Sequence, residues 1–397
     1  MATAVPPSPA PAAPLAARIP VQTAPAGPDP VRSPARLPAL RHVGPQWYAA
    51  VMGTAIVASA GAALPLPAAA RPALVVVWTA SALLLLTVAS ARAGHWLHHR
   101  DQARAHLLDP AVAPFYGCAA MAPLAVAAGT LSVGRDVLGS AAVPVAAALF
   151  AVGCALAVTV AVAVPYLLVV RHRPAPGTAA PGWLLPLVAP MVAAAVGPLL
   201  ALHLADGEGR RTLLAASLAL FGLSLLATLV MVPLVFARLV HHGPLPLALT
   251  PSLFLVLGPL GQSTTAAGHL ADAAPAGLPY ADAVAVLYGV PVLGFALMWL
   301  ALAGAMVVRA ARRGLPFTLS WWAFTFPVGT CVTGAAGLAH RTDLSAFAAV
   351  AAVLYALLVT AWAVTGLRTA RGLLSGALLR APRPAPGAPS PATARTT

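Results

Sequence analysis

The chain has 397 residues, of which 60% are hydrophobic and 8% charged, with a mean hydropathy of +0.87 and a formal net charge of +14. Soluble domains carry about 25% charged residues, so this composition cannot clothe a soluble surface and reads as an all-α polytopic membrane protein. All 23 basic residues are arginine, and their distribution explains the charge as a topology signal rather than a nucleic-acid surface.

Residues 1–43 hold eleven prolines among alanines. They read as a disordered cytoplasmic tail, without the apolar core of a signal peptide. Ten apolar stretches follow, each long enough for the roughly 20 residues of a bilayer crossing. They lie near 46–64, 72–92, 112–131, 141–170, 182–204, 212–237, 247–271, 281–308, 317–339 and 344–367. The long fourth and eighth runs lack an internal turn cluster and read as single tilted helices. A transmembrane domain is thus expected over 44–375, with a second Pro-rich cytoplasmic tail over 376–397. On this topology 18 arginines fall on one side and 5 (Arg71, Arg135, Arg210, Arg211 and Arg341) on the other. The asymmetry respects all ten crossings and places both termini in the cytoplasm, in a plasma-membrane protein.

Prolines inside the odd-numbered helices reveal a repeat. Pro123, Pro190, Pro259 and Pro327 are spaced 67, 69 and 68 apart. One further step back from Pro123 reaches Gly53 and Thr54. The even helices echo the period, with Pro165 and Pro233 separated by 68 and Arg171 and Arg238 by 67. A fixed period of this length denotes a repeated supersecondary unit, here a helical hairpin repeated five times. Five hairpins cannot make a two-fold inverted repeat, but they can close a ring with one helix of each pair inside. The odd helices are the better inner set. They carry the prolines, the small residues and hydroxyl or amide groups such as Gln262, Thr265 and Thr330. Irregular backbone at membrane depth is tolerated where it is buried or lines a water-filled path.

Immediately before the four prolines stand Ala122, Ala189, Gly258 and Phe326. Four small groups and one phenyl at a single level suggest a hole with a plug, and hydrophobic constrictions are a known gating device. Phe326 is the expected gate. Gly53, Thr54, Ala122, Pro123, Ala189, Pro190, Gly258, Pro259, Gln262, Thr265, Pro327 and Thr330 are the expected lining and kink positions. The alternative role for Phe326 is packing against a neighbouring helix. A proline inside a helix costs about 3 kcal/mol, so the pair Phe326–Pro327 implies a useful break.

Other groups offer less. Cys118, Cys154 and Cys331 are isolated and read as small apolar residues. His203, His269 and His340 lie near the ends of helices 5, 7 and 9; they read as interfacial residues or as a protonatable mouth that attracts anions. His95, His98 and His99 share one helical face without an adjacent Cys or carboxylate ligand, so a cytoplasmic interfacial patch is expected rather than a metal site. Asp101 and Asp109 are loop residues. No nucleophile–base pair sits at membrane depth, so no catalytic residue is expected, nor any cofactor. Haem would need facing histidines within the membrane.

Four blocks carry a resemblance: "GPQWYAAVMGTAIV" (44–57), "DPAVAPFYGCAAMAPLAVAAGTL" (109–131), "LGPLGQSTT" (257–265) and "WWAFTFPVGT" (321–330). Together they resemble the tellurite-resistance/dicarboxylate transporter family, which includes malate transporters, sulfite efflux pumps, the bacterial tellurite-resistance protein and plant slow anion channels. The resemblance covers about 44–375. It implies five hairpins around a central anion pore, a homotrimer in the lipid bilayer, and a gate at the second aromatic of Trp322-Ala323-Phe324-Thr325-Phe326, which is Phe326. The substrate implied is a C4-dicarboxylate such as malate or a small inorganic anion; sulfite or tellurite efflux is the alternative. A membrane redox or structural protein is the reading from another class. Cys118-Ala119-Ala120 departs from a more Pro- or Gly-rich stretch in bacterial relatives, which leads to an expectation of weaker kinking in the third helix.

Overall fold

The computed structural model describes residues 41–175, 177–274, 280–376 and 378. Most of both expected tails lies outside them. Twelve α-helices occur in the described residues, with short 3-10 and π segments between them and no strand. Five hairpins organise them: α1 (Tyr48–Ala62) with α2 (Arg71–His98), α4 (Tyr116–Gly129) with α6 (Ala142–Leu167), and α7 (Leu184–Ala201) with α8 (Glu208–His242). The last two pair α9 (Leu257–Asp272) with α10 (Ala281–Ala311) and α11 (Phe326–Thr342) with α12 (Ser345–Leu374). A short amphipathic α3 (Arg100–Leu108) and the one-turn α5 (Arg135–Leu138) complete the set.

The five inner helices α1, α4, α7, α9 and α11 pack in that order, and α11 returns to α1, closing a ring. Nearly every residue of α1, α4 and α7 is buried. The outer partners bury only about one residue per turn or two, as in α8, where Ser217, Ser224, Thr228 and Val235 alone are buried. Their exposed faces are Leu, Val, Phe and Met, as lipid contact requires.

Seven helical runs are long and apolar enough to cross a membrane by length and composition, and one of them, Ala113–His172, contains two legs of a hairpin. The legs turn at Gly139, whose φ of +53° suits glycine. Of the ten expected spans, the α-helices α4, α1 and α9 fall below the length of a free-standing span, at 14, 15 and 16 residues. They are short because each is wrapped by other helices and preceded by 3-10 backbone. An inner helix with no lipid face need not match the bilayer thickness.

Proline acts in two ways. Pro123 and Pro190 lie inside α4 and α7, where each removes a hydrogen bond to the fourth residue back. The Ser224 hydroxyl of α8 donates to Leu187 O at 2.6 Å, one turn before Pro190. Pro259 and Pro327, expected as interior kinks, instead occupy the first turns of α9 and α11. An N–H there has no acceptor within the helix, so its absence costs little. The chain arrives by 3-10 segments, Leu247–Val256 and Leu319–Phe324. The carbonyls of the first segment are bound from neighbours: Trp299 Nε1 donates to Leu253 O at 3.0 Å and Ser320 Oγ to Ala248 O at 2.8 Å. The third of the ten crossings, α4, runs unbroken through Pro123 and then widens into a π turn at Thr130–Gly134. Trp78 Nε1 donates to the Thr130 hydroxyl at 3.2 Å there.

Small residues let the inner helices touch. A Cβ on Gly261 would overlap the backbone of Thr330 and Cys331, and one on Gly117 the backbone at Leu185. Close approach of this kind is how helices associate in lipid, where the hydrophobic effect supplies no drive between them.

Candidate functional site

Inside the ring lies a cavity of about 290 Å³. All five inner helices line its wall: Ile56 and Ser59 from α1, Ala125 and Ala128 from α4, Val192 and Ala195 from α7, Gln262 and Thr265 from α9, and Thr333 and Ala336 from α11. Ile56, Ser59, Ala125, Ala128, Ala195, Thr265 and Ala336 belong to the second halves of their helices, with Val192, Gln262 and Thr333 near the middle, so the cavity lies toward the face opposite the arginine-rich one. Phe326 borders it and is 2% exposed. Phe326 also borders a void of about 10 Å³ with Met52, Met121, Leu185, Val188, Leu255, Gly258 and Pro327. Space for a hydrated solute thus exists on one side of this phenyl and not on the other.

Local chemistry explains why Phe326 occupies that point. The 3-10 segment before α11 is anchored to the outer shell, with Trp322 Nε1 donating to Thr369 Oγ1 at 3.1 Å. Thr325 then departs from helical backbone, with φ −101° and ψ −79°. Its hydroxyl donates to Trp322 O at 2.7 Å. This break starts α11 at Phe326 and turns that side chain inward, while Phe324 packs edge-on against Phe254 (4.8 Å) and Trp321 (5.7 Å). The two phenylalanines of the Trp-Ala-Phe-Thr-Phe motif therefore occupy different surroundings.

The other expected positions separate into groups. Gln262 and Thr265 line the cavity, and Gly258 and Pro327 border the small void. Thr265 meets the Thr333 hydroxyl at 2.7 Å, a polar contact between α9 and α11. Thr330 is wholly buried and binds within α11, donating to Pro327 O at 2.7 Å. Gly53 faces Trp322 and Thr325, where a Cβ would overlap both side chains. Thr54 points outward, accepting from Trp362 Nε1 of α12 at 3.1 Å. Ala122, Pro123, Ala189, Pro190 and Pro259 are buried among the inner helices and are not among the residues that border the cavity or the void.

Of the three terminal histidines, His269 and His340 line the cavity and His203 does not. His269 Nδ1 lies 2.8 Å from Ala195 O. On the arginine-rich face the expected His95/His98/His99 patch is rearranged. His95 and His99 are buried while His98 is exposed, and His95 stacks on His106 of α3 with ring centroids 5.2 Å apart. Burial, with His95 and Arg92 alongside, pushes the His106 imidazole down to about 4. Arg92 is itself buried, donating to Val43 O at 2.7 Å and to the Tyr116 hydroxyl at 3.1 Å.

Sequence reasoning did not single out Arg341, which counted only as one of five arginines on the minority side. It lines the cavity and binds Asp272 and Asp282. Arg71 and Arg210 are likewise ion-paired, with Asp136 and Asp206. Three of the five minority arginines thus have carboxylate partners, a signal legible in the few acidic residues near the same helix ends.

A family model described as voltage-dependent anion channel, SLAC1, matches residues 42–370. An uncharacterised transporter of Methanocaldococcus jannaschii is 26% identical over 350 residues, covering 87% of this chain and 97% of the relative. Sulfite efflux pumps of Trichophyton rubrum and Arthroderma otae are 29% and 28% identical, each match covering 74% of this chain and 81% of the relative. With the closed five-hairpin ring and a match spanning most of the sequence, the chain belongs to the voltage-dependent anion channel (SLAC1) family of multi-pass membrane anion transporters, the tellurite-resistance/dicarboxylate transporter group that its sequence blocks resemble.

Proposed function

We propose that the protein passes small anions through the centre of the inner ring and that Phe326 is the gate. The observation that carries this reading is the contrast in space across one side chain, about 290 Å³ on one side of Phe326 and about 10 Å³ on the other. The wall offers an anion hydroxyls, an amide and one permanent cation, Arg341, whose counter-ion Asp272 also lines it. It bears no nucleophile–base arrangement, and transport rather than catalysis accounts for it.

The substrate favoured is a compact inorganic oxyanion of the sulfite type. A single arginine at the cavity suits one centre of charge better than a four-carbon chain with a carboxylate at each end, and relatives named as sulfite efflux pumps align over 74% of the chain. A C4-dicarboxylate such as malate is the competing substrate. In this reading the protein is a plasma-membrane homotrimer with both termini in the cytoplasm. The 18:5 arginine asymmetry supports that orientation, and the apolar outer faces of α2, α6, α8, α10 and α12 offer the lipid and subunit contacts.

Flux into proteoliposomes with sulfite, nitrate, chloride and malate under matched gradients ranks the substrates. The expected order places sulfite and nitrate at least about fivefold above malate, as uniform binding differences of about 1 kcal/mol would give. Malate in first place would overturn the oxyanion assignment and leave the central path intact.

A further inference from the structure

We propose that the mouth of the cavity is an anion-binding site in which Arg341 is the cation and Asp272 is a built-in competitor for it. The transport meaning of this site rests on the central-path reading; the binding itself does not. Arg341 lies in the last turn of α11, and its side chain is only 7% exposed. Its guanidinium is fixed by backbone, donating to Gly268 O of α9 at 2.7 Å and to Gly337 O at 3.2 Å. A cation so held cannot follow its counter-ions into water.

The counter-ions are placed differently. Asp282 receives Nε of Arg341 at 3.1 Å and is 74% exposed. Asp272 receives Nη2 and is 45% exposed. Asp272 is among the residues that line the cavity, and Asp282 is not. Of the two carboxylates, Asp272 therefore stands where an incoming anion would have to bind Arg341. It is short, half in water and able to swing aside, whereas the arginine stays. A guanidinium N–H donates to the oxygen of an oxyanion as it does to a carboxylate oxygen, so an incoming anion can take the single Nη2 contact that Asp272 vacates.

The remaining charged and titratable groups near this end do not duplicate the role. His269 is tied by Nδ1 to Ala195 O, and Arg210 bonds Asp206 and reaches Ala273 O at 3.4 Å. His340 lines the same cavity. Toward Phe326 the Thr265–Thr333 hydroxyl pair offers the next polar contact. The two carboxylates, Asp272 and Asp282, outnumber Arg341 two to one. An anion at the mouth therefore meets repulsion that neutralising Asp272 would lift. The site takes a compact oxyanion that accepts from the Nη2 N–H of Arg341 which Asp272 releases.

The test is a calorimetric titration of purified full-length protein with sodium sulfate, and separately sodium nitrate, at constant ionic strength made up with gluconate. Asp272→Asn is expected to bind sulfate about tenfold more tightly than wild type, whereas Asp282→Asn changes affinity less than about threefold. Arg341→Gln abolishes the binding. Should Asp272→Asn elute and unfold as wild type does yet bind sulfate no more tightly, Asp272 is a structural partner only and the proposal fails. An equal gain in Asp282→Asn would overturn the assignment to Asp272. The two readings separate cleanly. If Phe326→Ala stays silent in flux while Asp272→Asn tightens sulfate, the central path fails and the mouth site stands. If Phe326→Ala conducts and Asp272→Asn binds as wild type, the mouth site fails and the path stands.

Discussion

Phe326→Ala raises sulfite and nitrate flux by at least about tenfold, since a hydrophobic constriction is lost rather than a binding site. The reason is local. Phe326 borders both the cavity and the small void beyond it, so removing its phenyl joins two spaces that now meet only at that ring. The same truncation removes a buried aromatic, which costs about 3–5 kcal/mol in a packed core, so the variant also unfolds at lower temperature. A size series separates the two effects. Flux is expected to rise in the order Phe, Leu, Val, Ala at position 326, following the volume removed. Phe324→Ala is the matched control: Phe324 packs against Phe254 and Trp321 away from the cavity, so it loses stability without gaining flux. Equal flux in Phe326→Ala and wild type for every anion, with the variant folded, would make Phe326 a packing residue.

Gly261→Val is expected to prevent assembly of the ring. A Cβ at Gly261 falls on the Thr330 carbonyl carbon, 2.5 Å away, and on the backbone nitrogen of Cys331. Backbone cannot rotate out of the way as a side-chain tip can, so α9 and α11 would have to separate. Their separation also strains the Thr265–Thr333 contact and the Cys331 Sγ to Leu257 O contact at 3.8 Å. Overpacking usually costs 1–3 kcal/mol, and a clash with backbone belongs to the larger effects above about 4 kcal/mol. Gly258→Ala is the informative comparison three residues earlier. There a Cβ meets only Val188 Cγ1, at an ordinary 3.9 Å. Size-exclusion profiles in mild detergent should show Gly261→Val aggregated and Gly258→Ala monodisperse. A monodisperse Gly261→Val with wild-type thermal stability would contradict the close approach of these two helices.

The class, the ten apolar segments, their hairpin pairing and the inner position of the odd helices were legible because each rests on a long-range pattern. Composition sets the solvent, arginine placement follows topology, and a spacing near 68 residues survives local irregularity. The inner helices could be identified by the prolines even though those prolines do different things. Whether a proline kinks a helix or starts one depends on the backbone before it. Pro327 begins α11 because Trp322 is tied to Thr369 on α12 and Thr325 breaks the helix, contacts no linear pattern encodes. Thr54 shows the same limit. It sits at the right level on α1, but Trp362 holds it outward, and rotation about a helix axis is weakly specified when nearly every residue of that helix is buried. α3 escaped notice because it is nine residues long and strongly charged. Arg341 escaped because its use as a topology marker hid its partners, which lie 69 and 59 residues away.

On the proposed path anions cross through the ring and past position 326. Its most direct test places a cysteine on the cavity wall at Ala336, in the Phe326→Ala background, and modifies it with a negatively charged thiosulfonate. Native Cys118 and Cys331 are buried and Cys154 lies on the outer α6, so Phe326→Ala without the added cysteine serves as the reference. Modification is expected to cut sulfite and nitrate flux by at least about tenfold, as a bulky anion fixed in a narrow path must. Flux unchanged after mass spectrometry shows full modification at position 336 would contradict it and place the anion path outside the ring.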